Sequence, residues 1–250
     1  MKRVLITAIA CVTVTFLTAQ EDFSKSLNGI EWVKIISSAN VDIIAHDSNE
    51  IIIKSRSSNR APDRSKGLRL VGAGGTDNTN VGFSVLQEGN DLIVTNLKKN
   101  ANARIYLPKN QKISVKSTWN GDIEMEGFTG EIEANCQLNG SIKIEGATGP
   151  ITANSLNGSV EIIFDSIDQD SPTSIFTTNG AVDVSLPGNT KADLSMSSWN
   201  GDVYTNFDIE QASKEGMKKV SSKKSTGTIN GGGVSLKLRS TNGNIYLRKK

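Results

Sequence analysis

One short signature recurs along this chain and limits what it can fold into. It reads Asn-Gly, any residue, an aliphatic, any residue, and usually a second aliphatic. Six segments carry it: Asn120-Gly121-Asp122-Ile123-Glu124-Met125, Asn139-Gly140-Ser141-Ile142-Lys143-Ile144, Asn157-Gly158-Ser159-Val160-Glu161-Ile162, Asn179-Gly180-Ala181-Val182-Asp183-Val184, Asn200-Gly201-Asp202-Val203-Tyr204-Thr205 and Asn242-Gly243-Asn244-Ile245-Tyr246-Leu247. The Asn-to-Asn steps are 19, 18, 22, 21 and 42 residues. Since 42 is twice 21, one coil is expected to lack the signature or to carry an insertion. A near-constant step of this size marks a repeat architecture.

A second alternating stretch lies between the first signatures. Glu131-Ile132-Glu133-Ala134 follows Thr129-Gly130, and Pro150-Ile151-Thr152-Ala153 follows Thr148-Gly149. Each coil of about 20 residues therefore holds two short strands and two glycine-marked turns. Apolar residues at every second position give each strand one inward and one outward face. Asn-Gly is expected to supply the positive φ of a tight corner.

Asn-Gly between alternating strands is also the usual hairpin signal, which would give an antiparallel meander. The in-phase recurrence of the same residue types favours a solenoid, in which equivalent positions stack in columns. Ile123, Ile142, Val160, Val182, Val203 and Ile245 then form one inward column, and Met125, Ile144, Ile162, Val184 and Leu247 the next, with Thr205 the exception. Asn120, Asn139, Asn157, Asn179, Asn200 and Asn242 form a structural corner ladder whose amides can bond to one another, as stacked Asn do in cross-β assemblies. The outward residues Glu124, Lys143, Glu161 and Asp183 read as largely alternating charge, good for solubility.

The fold class expected is thus all-β: a single-domain β-solenoid, or β-helix-like repeat, with an irregular N-terminal half. Residues 20–250 read as one elongated domain, with irregular coils over 20–116 and regular Asn-Gly coils over 117–250, interrupted by an insertion near 207–226. In the irregular half, 32–36, 41–45, 50–55, 83–87, 92–96, 103–107 and 112–116 read as strands, and 57–80 as a long loop. One or two helical turns are expected within 209–220. A solenoid has open ends that invite aggregation. Arg248-Lys249-Lys250 is expected to guard one end with charge, and the irregular N-terminal strands to cover the other.

The first residues read as an address. Lys2 and Arg3 precede an uncharged apolar run of 14 residues, Val4 to Leu17, and Thr18-Ala19-Gln20 follows. That run is short for a membrane span, which needs about 20 residues, and suits a secretory signal peptide over residues 1–19. A lipoprotein site at Cys11 is disfavoured, because the apolar run continues for six residues beyond it. The mature chain is expected to be exported to periplasm, cell surface or medium, with no transmembrane segment. Removing residues 1–19 takes the net charge from +2 to zero, since Lys2 and Arg3 leave 26 bases against 26 acids. No basic field remains for nucleic acid. The loss of Cys11 leaves Cys136 alone, with no internal disulfide. One His and two Cys exclude a His-rich or Cys-rich metal centre, so no cofactor or metal is expected.

Candidate contact residues are few. Trp119 and Trp199 each sit in a Ser-[Ser/Thr]-Trp-Asn-Gly-Asp segment, in register with Leu138, Leu156, Thr178 and Thr241. Exposed indoles can stack on sugar rings, but the leucines of this column favour a role covering a corner of the core. Counted along the chain the two are four coils apart, roughly 19 Å at ~4.8 Å per coil. Tyr204 and Tyr246 are outward aromatics on the same repeat. Lys214, Lys218, Lys219, Lys223 and Lys224 form a basic run fit for anionic glycans or lipid headgroups, although such runs are more often solvated excursions. Asp165, Asp168 and Asp170 lack calcium-loop spacing and read as a solvated turn. His46-Asp47 has no marked nucleophile partner, and the glycines at 72–75 lack the Lys-Ser/Thr of a phosphate loop. Cys136 aligns with Ser155 at the equivalent corner and reads as structural.

The layout resembles the bacterial adhesin-like, or toast-rack, family of exported β-strand-repeat proteins of unknown function. The matching stretches are Gly67-Leu68-Arg69, Gly89-Asn90-Asp91-Leu92, Ile105-Tyr106-Leu107-Pro108-Lys109, the Asn-Gly signatures, Ile229-Asn230-Gly231-Gly232-Gly233 and 240–250. The resemblance implies a β-solenoid-like fold and an envelope or surface location, and supplies no catalytic residues. The Lys-rich segment 214–224 departs from the pattern. Three functions stand at this point. The first is a non-enzymatic rigid surface for adhesion, envelope scaffolding or glycan contact. The others are a polysaccharide-active β-helix enzyme, and a periplasmic sensor or accessory module binding another protein. The partner classes are a glycan or an envelope protein.

Overall fold

The computed structural model describes residues 22–55, 62–99, 101–210 and 223–250. In chain order the strands are β1 (Phe23–Ser26), β2 (Trp32–Ser37), β3 (Val41–His46), β4 (Glu50–Ser55), β5 (Val71–Gly72), β6 (Gly75–Thr76), β7 (Phe83–Glu88), β8 (Asp91–Asn96), β9 (Ala103–Pro108), β10 (Lys112–Ser117) and β11 (Ile123–Glu126). There follow β12 (Ile132–Asn139), β13 (Ile142–Ala147), β14 (Ile151–Asn157), β15 (Val160–Phe164), β16 (Thr173–Thr177), β17 (Val182–Leu186), β18 (Ala192–Ser198), β19 (Val203–Thr205), β20 (Lys223–Ile229), β21 (Val234–Ser240) and β22 (Ile245–Lys249). The one helical element among the described residues is a 3-10 turn at Asp63–Ser65. The helical turns expected over 209–220 fall almost wholly outside the described residues, as do the signal segment 1–19 and Lys214.

Two ten-stranded sheets run face to face through both halves of the chain. Each regular coil places one strand in each sheet. Pairing is parallel and in register: Ile113, Ile132 and Ile151 follow one another in one sheet, and Ile123, Ile142, Val160 and Val182 in the other. The inward positions of both sheets interleave into one buried cluster, and Phe128 in a turn and Phe164 at the end of β15 add the largest fully buried side chains to it. The all-β, solenoid-like reading is borne out, and the meander is excluded. Val203 is only half-buried because it lies on the last rung of its sheet.

Chain order and stacking order part at both ends. The last coil, β21–β22, lies between the coil of β16–β17 and that of β18–β19. The double step of 42 residues takes in β20, a strand added beyond the two of a regular coil, and the coil that follows it is the intercalated one. The first coil, β2–β3, lies in the same way between β8–β9 and β10–β11.

A matching clasp holds each end. Consecutive β3 and β4 flank β9, with β3 parallel and β4 antiparallel to it. Consecutive β20 and β21 flank β18, with β20 antiparallel and β21 parallel. The connecting turns cross over the clasped strand. Asn230 donates through Nδ2 to the carbonyls of Thr190 (2.6 Å) and Gly188 (3.1 Å). At the other end Lys109 donates from its backbone to His46 (3.2 Å) and through Nζ to Asp47 (2.8 Å). His46-Asp47 is thus part of a clasp turn. Antiparallel β7, and β4 with β1, cover the N-terminal coils as expected. The C-terminal basic tripeptide guards no edge, because β22 is interior: Arg248 pairs with Asp183 (2.7 and 2.8 Å) and Lys250 with Asp165 (2.8 Å). Antiparallel β20 closes one of the two edges there.

The glycine of each signature has a different cause from the one expected. Gly121, Gly158, Gly180, Gly201 and Gly243 take no positive φ. Instead, a Cβ on Gly140, Gly158, Gly180, Gly243 or Gly201 would lie within 3.0 Å of the carbonyl oxygen of the glycine one rung earlier in the stack. Gly149 stands in the same relation to Gly130 at the opposite corner. The corners touch backbone to backbone, so any side chain there forces neighbouring rungs apart. Gly158→Ala is expected to destabilise the protein by about 3 kcal/mol. Gly89→Ala, whose Cβ would meet nothing within 4 Å but whose φ is +62°, should cost about 1 kcal/mol. Urea unfolding midpoints compare the two, and equal shifts would refute the close-approach account.

Candidate functional site

The Asn-Gly corner gathers most of the sequence-predicted site residues. Behind the glycines runs a buried hydroxyl column. Ser155, Thr177, Ser240 and Ser198 donate to the carbonyls of Gly140, Gly158, Gly180 and Gly243 at 2.8, 2.7, 3.0 and 2.8 Å. Each hydroxyl thus supplies a donor to a glycine carbonyl of the neighbouring rung. Cys136 occupies this column opposite Ser155, with its Sγ 3.7 Å from the Gly121 oxygen. Burial pushes its thiol up to about 12. Sequence reasoning aligned Cys136 with Ser155 but missed the column's bonding, although a Ser, Thr or Cys two or three residues before each Asn was the available signal.

In front runs the amide ladder. Nδ2 of Asn139, Asn157, Asn179, Asn242 and Asn200 donates to Oδ1 of Asn120, Asn139, Asn157, Asn179 and Asn242, at 2.8, 3.2, 2.7, 2.7 and 2.8 Å. The order 120, 139, 157, 179, 242, 200 follows the stack and skips chain order. All six Asn are exposed.

Immediately before each Asn stands Trp119, Leu138, Leu156, Thr178, Thr241 or Trp199. Backbone carbonyls of Trp119, Leu156, Thr178 and Thr241 accept from the Asn N–H of the next rung at 2.8–2.9 Å, so these residues are equivalent positions. Trp119 is 59% exposed and Trp199 75%, with Leu156 at 39%. This corrects the corner-of-core reading for the two indoles, which point to solvent with Leu156, while Leu138, Thr178 and Thr241 are half-buried. The two Trp lie five rungs apart in the stack, about 24 Å at ~4.8 Å per rung, because the intercalated coil adds a rung.

Tyr204 and Tyr246 stack at 5.4 Å with planes 13° apart, on the outer face near the edge strand β19. The Arg248 guanidinium lies 5.2 Å from the Tyr246 ring. This pair lies on the outer sheet face, whereas the Trp lie in the corner column. Of the basic run, Lys218 and Lys219 lie outside the described residues, Lys223 opens β20, and Lys224 is exposed opposite Ser197.

The outer charges depart from simple alternation. Intercalation of β3 sets Asp42 beside Glu124, and Glu126 lies beside Glu145. Arg104 pairs with Asp42 (3.3 Å) and Lys143 with Glu145 (2.9 Å). The Glu145 carboxylate first, with Glu161 and Glu124 adding to it, holds the Lys143 ammonium above its ordinary range. Asp42, Glu124, Glu126 and Glu145 line one hollow of the outer sheet face together with Arg104 and Lys143. Asp168 caps the backbone N–H groups of Asp170 and Ser171, as a turn residue does. No group of three or more potential metal ligands occurs among the described residues. No helix among them is long and apolar enough to cross a membrane.

This geometry defines a class: an in-register stack of two parallel β-sheets with an amide-laddered corner. Residues 137–248 match the family model Toastrack DUF4097, which bears out the toast-rack resemblance. No curated protein matches the chain. Among solved structures, a candidate cell adhesion protein from Clostridium sporogenes ATCC 15579 aligns at 11% identity and a TM-score of 0.50, covering 92% of this chain and 99% of its own. A candidate adhesin from Bacteroides fragilis NCTC 9343 aligns at 12% identity and a TM-score of 0.39, covering 93% and 98%. At such identities the first likeness bears on the fold alone.

Two outcomes follow from the corner. Asn157→Ala removes both bonds that tie Asn157 to Asn139 and Asn179, and should lower unfolding free energy by about 1–2 kcal/mol in urea titration. An unchanged midpoint would strip the ladder of structural weight. Cys136 should resist alkylation at pH 8 in the folded protein and react fully once unfolded. Its raised folded value means its contribution to stability is complete below its ordinary value of 9.0 and declines as pH rises toward about 12.

Proposed function

We propose that this chain is an exported, non-catalytic surface or envelope protein. After loss of residues 1–19 it acts as one elongated domain whose rigid face serves adhesion or scaffolding. The observation that carries this reading is the in-register stack itself. It fixes flat outer faces and a row of exposed apolar side chains without any need to order them on binding, so contacts along it cost little entropy. Support comes from the Toastrack match over 137–248 and from the adhesion-related name given to the Clostridium sporogenes neighbour. The charged start and apolar run of residues 2–17 support export.

The enzyme reading draws on the carboxylates gathered around Lys143. It is the weaker one, because Arg104 and Lys143 already pair with them. A module that binds another envelope protein would use the same rigid faces, and co-purification from an envelope extract separates it from an adhesin.

The test is fractionation of bacteria producing the full chain or a chain lacking residues 2–19. The full chain should reach the periplasm, surface or medium, and the shortened chain should stay in the cytoplasm. Cytoplasmic retention of both would contradict the proposal. So would release of reducing ends from polysaccharide by the purified protein.

A further inference from the structure

We propose that the corner row running from Trp119 to Trp199 binds a neutral polysaccharide chain laid along the stack axis, across the strands. The inference deepens the surface-protein reading above and rests on it.

Three columns meet at this corner. The first holds Trp119, Leu138, Leu156, Thr178, Thr241 and Trp199 in stack order, with Leu138, Thr178 and Thr241 half-buried between the exposed members. Next comes the Asn column, and then the glycine column, which carries no side chains to obstruct approach. A single exposed apolar residue needs no explanation. Here two indoles and a leucine, at 59%, 75% and 39% exposure, share one register position, and the leucine adds nothing to the core. The fold does not require tryptophan there, since Thr178 and Thr241 hold the same position in the same stack.

The neighbouring amides complete the chemistry. Each internal ladder Asn spends one Nδ2 proton and one Oδ1 lone pair on the rungs beside it. One donor and one acceptor per rung therefore remain for solvent or ligand. A sugar ring has an apolar C–H face and a rim of hydroxyls. An indole covers the first, and an amide pairs with the second. The row thus offers stacking platforms at both ends and amide groups at every rung between.

Size and charge narrow the ligand further. The indoles stand about 24 Å apart at ~4.8 Å per rung, beyond the reach of one or two sugar units. None of the residues in the three columns carries a formal charge. An acidic glycan or a nucleic acid strand would need cations along its track, because stacking on nucleic acid works together with a positive groove. A protein partner would call for aromatic anchors clustered at the centre of a patch, and these lie at opposite ends of a line.

The experiment is native affinity electrophoresis of the mature chain through gels containing hydroxyethyl cellulose, xyloglucan, a soluble β-1,3-glucan or galactomannan. Polygalacturonate serves as the anionic arm. Trp119→Ala, Trp199→Ala, the double variant and Tyr204→Ala are run beside it, with circular dichroism to confirm folding. At least one neutral polymer should retard the wild-type protein. Either Trp substitution should weaken that affinity about tenfold, and the double variant should abolish it. Tyr204→Ala should behave as wild type, and a trisaccharide of the same sugar should bind far more weakly than the polymer. No retardation by any neutral polymer, retardation indifferent to both Trp, or retardation by polygalacturonate alone would overturn the proposal. If one of these occurs while the chain is still exported and retained by the envelope, the corner row fails and the surface-protein reading stands. If the chain is not exported, it is the surface-protein reading that fails.

Discussion

Everything in this fold depends on how closely one backbone corner can approach the next. Parallel strands in two facing sheets must rise by one strand spacing per coil. At the corners that spacing leaves no room between the glycine of one rung and the glycine carbonyl of its neighbour. Glycine in that position is a packing requirement. Once it is met, the remaining columns follow from register: aliphatics inward, a hydroxyl behind the corner to satisfy its carbonyl, and an Asn in front whose amide reaches the next amide. Each interaction is modest alone. Their repetition makes every rung a template for the next, as expected when stability sums over nearest neighbours.

A template of this kind has no natural stop, and the chain supplies stops by topology. At each end a sequence-adjacent strand pair embraces a third strand, β3 and β4 around β9, and β20 and β21 around β18. Both terminal coils are thereby held inside the stack, and antiparallel strands cover three of the four sheet edges, the short parallel β19 being the fourth. Sheet edges are otherwise templates for aggregation. The arrangement also joins residues far apart in sequence: Asn242 bonds to Asn179, 63 residues away. The β18–β19 coil cannot take its final place until the last coil has been inserted. Contacts of such separation slow folding, so this chain is expected to complete its C-terminal end late.

The sequence was legible where chemistry repeats and opaque where topology departs from repetition. Alternation and phase located the strand after each Asn-Gly, the inward columns, the corner amides and most strands of the N-terminal half, but placed only the start of β12 and β14 and gave no bounds for β16, β18 and β21. The intercalation of the last coil left no trace, because the doubled step between Asn200 and Asn242 comes from the added strand β20. The first coil left none, because Ser38-Ala39-Asn40 replaces the signature at its corner. β1 and β20 escaped notice since neither Phe23–Ser26 nor Lys223–Ile229 shows strong apolar alternation; both are specified by the strands they pair with. The exposure of Trp119 and Trp199 was misjudged from their leucine neighbours, of which Leu156 is exposed and Leu138 half-buried without joining the core cluster. The gathering of Asp42 and Glu124 was likewise invisible, because it arises from stacking order and not from chain order.

The stacking order at the corner is therefore the claim on which the account of shape, of edge protection and of the exposed row depends. It can be tested by paired cysteines in a Cys136→Ser background. Adjacent rungs lie ~4.8 Å apart, within the ~4.4–6.8 Å that a disulfide spans between Cα atoms, and alternate rungs lie at about twice that spacing. Asn179→Cys with Asn242→Cys should form a bridge on mild oxidation of the folded protein, while Asn179→Cys with Asn200→Cys should not. Bridging of the second pair and not the first would place the coils in simple chain order and contradict the account.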